Sequence, residues 1–236
     1  MPLPLAESPE LVALPGGTIP VAWRRSGRAR RVSLRVDPRA ARIVVTLPPR
    51  AARAAGLALL RAHADWAARS LARLPGAVPL ADGASVPLGG VAHPIRHVPE
   101  ARGGAWIEAG SIHVAGGAEH VSRRVRDLLR AEARRRLGAQ AAAKAALAGL
   151  AWRRLAIKDT RSRWGSCAAD GTLMFSWRLV MAPAPVQDYV VAHEVAHLRH
   201  MNHGPRFWAL VEQLTPHRAE AAAWLAAEGA RLHRVG

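Results

Sequence analysis

Apolar and polar positions alternate near the start of the chain. Residues 31–36 run Arg31, Val32, Ser33, Leu34, Arg35, Val36, the period-two pattern of a half-buried strand. Asp37-Pro38 opens a turn, residues 43–47 supply the partner strand, and Pro48-Pro49 ends it. Residues 18–24 read as a further strand. An Ala, Leu and Arg pattern then predicts a helix over 50–74 containing Trp66, followed by short Gly- and Pro-bounded strands within 78–98 and 105–115. Residues 119–149 read as a long basic helix with Gly138 as a candidate break. Beyond Gly149, strands are predicted over 152–159 and 161–168, with Asp170-Gly171 as a hairpin turn before 172–176. Ala182-Pro183-Ala184-Pro185 is a helix-start signal. Helices follow over about 186–200, 205–214 and 216–234, with Asn202-His203-Gly204-Pro205 as a turn between the first two. The fold class is α+β. The expected division is a tail over 1–16, a β-rich region with one helix over 17–118, and a mostly helical domain over 119–236.

Composition narrows the class. A chain of 236 residues, 50% hydrophobic and 22% charged, can bury a sizeable core and is not a disordered or low-complexity polymer. No stretch approaches 18 uninterrupted apolar residues, so no membrane-spanning helix is expected. The start, MPLPLAESPELVALPGG, has acids and prolines where a signal peptide has a basic region and an apolar core. A single cysteine, Cys167, excludes an internal disulfide and suits a reducing compartment. These features point to a cytoplasmic protein. The net charge of +17 is clustered: nine Arg against one acid over 24–50, seven against two over 123–136, and six bases against two acids over 152–178. Such clusters favour polyanions, nucleotides or nucleic acid, or serve as solvated faces.

His193-Glu194-Val195-Ala196-His197 carries the chemistry. On a helix, positions i and i+4 share a face, so both imidazoles can address one ion. Zinc accepts imidazole nitrogen, and Glu194 beside the first histidine can take a proton from zinc-bound water. From 11 His and 10 Glu, such a motif arises by chance roughly 0.02 times per chain. A third ligand is needed. His203 lies just past the helix end, where Asn202, Gly204 and Pro205 turn the chain back; His200 and Glu212 are its rivals. Tyr189, one turn before His193, is a candidate oxyanion contact or a packing ring. Arg161 and Arg163 are candidate contacts for a substrate carboxylate or phosphate, or outward-facing strand residues. Cys167 is a fourth ligand or a buried thiol, and Phe207, Trp208, Val211 and Leu214 have core spacing.

Three segments, Arg161-Ser162-Arg163-Trp164-Gly165-Ser166-Cys167, Asp188 through Leu198 around the motif, and Asn202-His203-Gly204-Pro205-Arg206-Phe207-Trp208, together resemble the YgjP-like metallopeptidase family, related to the WLM and SprT-type metalloproteases. The match is dense over 160–210 and extends to the strand-rich stretch from Arg25 to Pro48. The resemblance implies a zincin-like domain with a small antiparallel sheet, one Zn2+ held by His193, His197 and His203, and Glu194 as acid–base catalyst. The His197-to-His203 spacing equals that of metzincins, but their glycine three after the second ligand is His200 here, which excludes that family. The expected activity is peptide hydrolysis on a peptide or protein substrate. Two alternatives follow from relatives: a metal-dependent nucleoside triphosphate (UTP) pyrophosphatase, and a nucleic-acid-associated protease acting on DNA-bound proteins. No GxxxxGK[ST] loop occurs, which excludes a P-loop enzyme.

Overall fold

A computed structural model describes residues 9–15 and 17–236, which divide into two units, Met1–Gly76 and Ala77–Gly236. Most of the expected tail, residues 1–8 and 16, lies outside the described residues, and with it most of the segment compared to a signal peptide. The rest of that tail is not irregular, because Glu10–Leu14 forms strand β1.

In the first unit β1 pairs antiparallel with β2 (Gly17–Arg25); β2 runs parallel to β4 (Arg42–Leu47), and β4 pairs antiparallel with β3 (Ser33–Asp37). Alternation decides which side chains go inside. Ile19 and Val21 of β2 meet Ile43, Val45 and Leu47 of β4 in one buried cluster, closed by Leu60 and Ala67. Those last two residues belong to two helices, α1 (Arg53–Ala62) and α2 (Ala64–Ala72), where the sequence predicted one. The break is at His63, whose backbone (φ −117°, ψ 26°) leaves the helical region. Gly56 lies inside α1 because a Cβ there would stand 2.7 Å from the Trp23 ring and 2.9 Å from Val45.

The second unit begins with a sheet of the same strand order and sense. β5 (Ser85–Leu88) and β6 (Val91–Val98) form a hairpin, β6 runs parallel to β8 (Ser111–Ala115), and β7 (Ala105–Glu108) pairs antiparallel with β8. These strands fall in Ala77–Gly236 rather than with the strands before residue 76. Helix α3 (Val121–Leu147) follows, and Val121, Val125, Leu129, Ala133, Leu137, Ala141 and Ala145 make its buried stripe. Gly138 does not break it. The helical penalty of a glycine, about 1 kcal/mol, is small against the burial of Leu137 and Ala141 on either side.

Strands β9 (Arg154–Lys158), β10 (Gly165–Cys167) and β11 (Thr172–Ser176) form a sheet of order β10-β11-β9. The expected antiparallel sheet is mixed, since β9 and β11 run parallel while β10 and β11 form the hairpin around Asp170-Gly171. Burial explains the order. Leu173, Met174 and Phe175 are buried in the central strand, and the small, half-buried Gly165-Ser166-Cys167 takes an edge. The strand predicted over 161–168 is shorter because residues 159–164 form a loop, in which the Thr160 hydroxyl donates to the Arg163 carbonyl. A buried 3-10 turn, Trp177–Met181, leads to α4 (Ala184–Ala196), α5 (Pro205–Leu214) and α6 (Arg218–His233). α4 ends at Ala196, a few residues before the predicted 200. Among the described residues no helix is long and apolar enough to cross a membrane.

Three polar devices brace this core, and the first two hold α4. The Lys144 ammonium of α3 bonds the Asp188 carboxylate of α4 and the Leu214 carbonyl of α5, each at 2.6 Å. The Gln187 amide donates to the carbonyls of Val180 and Ala182. Fully buried Arg178 pairs with Asp159, donates to the carbonyls of Val235 and Gly236, and stacks 4.2 Å from Trp177.

Candidate metal centre

Most of α4 is buried, which suits a helix apolar on nearly every side. Tyr189, His193 and His197 are half-buried and four residues apart, so they share the one face that opens outward. The helix stops at His197, and the turn after it brings His203 back over the same face. One ligand nitrogen from each of His193, His197 and His203 lies within 4.8 Å of the other two. Neither rival is in this group: His200 contributes its backbone carbonyl to His197, and Glu212 bonds Arg218 at 2.8 Å.

The protonation pattern fits a cation. The His197 Nδ1–H donates to the His200 carbonyl at 2.9 Å, which leaves Nε2 as a lone-pair donor and fixes the ring. The Nε2 atoms of His193 and His203 stand 3.1 Å apart. Two nitrogens on one tetrahedral zinc at its usual bond length stand about 3.3 Å apart, so this spacing suits a shared ion. Burial pushes His193 down to about 4, helped by His197, His203 and Arg218, so its ring is neutral at pH 7. Burial lowers His197 in the same direction. Buried Phe207 of α5 forms the floor, its ring 4.5 Å from His197, 4.8 Å from His203 and 5.0 Å from His193. Trp208 lies 5.7 Å from His203. Phe207 and Trp208 pack as their spacing predicted, and what they pack against is the histidine cluster.

Glu194, next to His193, lies against Gly165 of the edge strand β10 and is only 6% exposed. Burial raises its carboxyl to about 7, against the opposing pull of the Arg163 guanidinium and of a hydrogen bond from the Cys167 backbone N–H. A cavity of about 180 Å³ lined by Trp164, Gly165, Tyr189, Val190, His193 and Glu194 joins this carboxyl to the histidine face. Burial also holds the Tyr189 phenol above its usual range, so it stays protonated at neutral pH; its ring is 6.0 Å from His193. Arg161 is exposed, and no hydrogen bond or ion pair among the described residues draws it toward the cluster. The Cys167 thiol stands outside the histidine cluster and contacts the Ala168 carbonyl at 3.5 Å.

The sequence reading gives a role to neither of two further residues of the site. A Cβ at Gly165 would lie 2.5 Å from the Glu194 Cγ, so the close approach of β10 to the carboxyl requires glycine. Arg218, at the start of α6, stacks 3.7 Å over Trp208.

No curated protein matches this chain. Among solved structures, the metallopeptidase zymogen of Pyrococcus abyssi abylysin matches with 17% identity and a TM-score of 0.37, covering 39% of this chain and 93% of that one. The family model for the YgjP-like metallopeptidase domain matches residues 30–228, a span that takes in every residue of the cluster and most of both units, and the chain belongs to that metallopeptidase family.

Proposed function

We propose that this protein is a zinc-dependent peptidase in which His193, His197 and His203 hold the ion and Glu194 is the acid–base group. One observation carries the reading: three imidazole donors converge on one point beside a carboxyl that burial holds near neutrality. A zinc bound there supplies Lewis acidity that polarises a carbonyl and acidifies a water molecule. The chain's own groups do the rest. The three rings offer nitrogen donors, and the His200 carbonyl fixes the tautomer of one of them. The Glu194 carboxylate takes the proton of the attacking water and returns it to the leaving amine. The Cys167 N–H holds that carboxylate in place and Arg163 favours its ionised form. The protonated Tyr189 hydroxyl, on the same helix face, donates to the oxygen on which charge develops. β10 lies at the sheet edge beside Glu194, so an extended peptide laid along it passes the carboxyl.

The test uses wild type, Glu194→Gln and His203→Ala, purified without added metal, with elemental analysis and cleavage of a mixed peptide library. Wild type and Glu194→Gln are expected to carry about one zinc per chain, and His203→Ala much less. Cleavage is expected to fall by about 10²–10⁴-fold in Glu194→Gln, the usual worth of a general base. Full activity in Glu194→Gln would overturn the mechanism, and wild type without metal would overturn the site.

A further inference from the structure

A second cavity, of about 700 Å³, shares Tyr189 with the one that holds Glu194; Tyr189, Trp208, Glu212, Thr215 and Arg218 are among the residues that line it. Tyr189 and Trp208 belong to both places, since their rings lie 6.0 and 5.9 Å from that of His193. A substrate group bound here therefore sits next to the reacting centre. Resting on the peptidase reading, we propose that this cavity is a recognition subsite for a substrate carboxylate, with Arg218 as its specificity-determining residue.

The arrangement around Arg218 is that of a presented cation. Its guanidinium stacks 3.7 Å over the Trp208 ring, which fixes the plane and leaves the rim for hydrogen bonds. Glu212 accepts one N–H at 2.8 Å, and a guanidinium has five. Glu212 is 61% exposed, so water screens its charge, while the Arg218 side chain is 39% exposed and reachable from the cavity. The turn carrying Arg218 is ordered by buried Thr215, whose hydroxyl accepts the His217 N–H at 3.1 Å. Aromatic walls with one cation suit a short apolar stem ending in a carboxylate, the form of an acidic side chain or of a chain-terminal residue.

Binding to the zinc-loaded protein is measured by calorimetry with three probes: N-acetylglutamic acid α-amide (side-chain carboxylate), N-acetylglutamine (terminal carboxylate) and N-acetylglutaminamide (neither). At least one carboxylate probe is expected to bind about tenfold or more tighter than the uncharged one, the usual worth of a charged hydrogen bond. Which one does so identifies the source. That preference should vanish in the Arg218→Leu/Glu212→Gln protein and persist in part in Arg218→Lys, which keeps the charge and loses the planar fork. Equal binding of all three probes overturns the proposal. So does a carboxylate preference that survives in Arg218→Leu/Glu212→Gln, since the metal would then be the receptor. If no peptide is cleaved but the Arg218-dependent preference holds, the peptidase reading fails and the carboxylate site stands.

Discussion

At Gly165 a Cβ would stand 2.5 Å from the Cγ and 2.6 Å from the Oε1 of Glu194, so the carboxyl owes its position to an absent side chain. Gly165→Ala should push Glu194 aside while leaving the three histidines where they are. A misplacement of about 1 Å can cost about a hundredfold in rate, and turnover should fall by that order with metal content unchanged. Unchanged turnover would mean that Glu194 has room to spare. Cys167, two residues on, is raised to about 11 by burial and by the neighbouring Glu194 and Asp170 carboxylates. The sign is that of a thiol kept protonated. At pH 8 only about 0.1% is thiolate, against about a quarter for an ordinary cysteine, so alkylation by iodoacetamide should run about two hundred times slower than for a free thiol. Its rate should climb about tenfold per pH unit up to pH 10; rapid labelling at pH 8, read by mass spectrometry, would contradict the burial argument. At this scale the sequence was legible where chemistry repeats at helical spacing. His193, Glu194 and His197 declare themselves within five residues, and the turn signals point to His203. Gly165 and Arg218 do not, because what makes them functional is contact with another element, which no local pattern encodes.

The element that carries the motif, α4, is fixed to α3 and α5 through one ammonium group. Lys144 is 11% exposed at its side chain and bonds both Asp188 and the Leu214 carbonyl. Lys144→Met leaves a carboxylate and a carbonyl without their partner, whereas Asp188→Asn keeps a hydrogen-bonding group beside the lysine. The first should therefore be the more damaging, by about 2–3 kcal/mol against about 1–2 kcal/mol, as chemical denaturation would measure. The reverse order would show that the Leu214 carbonyl finds another donor. Elements differ in how openly the sequence displays them. The i, i+4 stripe of α3 is unmistakable, and the hairpin at Asp170-Gly171 follows from its turn residues. The break at His63 is not legible, because 50–74 has helical composition throughout and only packing of Leu60 and Ala67 on the sheet selects the bend. The parallel pairing of β9 with β11 is hidden for a similar reason. Sequence order suggests neighbouring hairpins, but burial puts the most apolar strand in the middle.

Across the whole molecule, two four-stranded sheets share one strand order, hairpin, parallel pair and antiparallel pair, each followed by helix, yet among the described residues only the second unit goes on to gather three histidines that could hold a metal. The core of the first unit is its own cluster around Val21, Ile43 and Leu60, separate from the one beneath α4. A ligand that binds the native state stabilises what must unfold to release it, by about 4 kcal/mol at a thousandfold excess over its dissociation constant. For this chain that means the elements holding His193, His197 and His203. Hydrogen exchange with and without a chelator reads the effect amide by amide. Zinc should slow exchange in α4 and α5, whose opening separates the ligands, and leave the amides of β2 and β4 near their metal-free rates. Equal slowing in β2 and β4 would show that the two cores open in one cooperative step, and no slowing in α4 would remove the metal from this helix altogether.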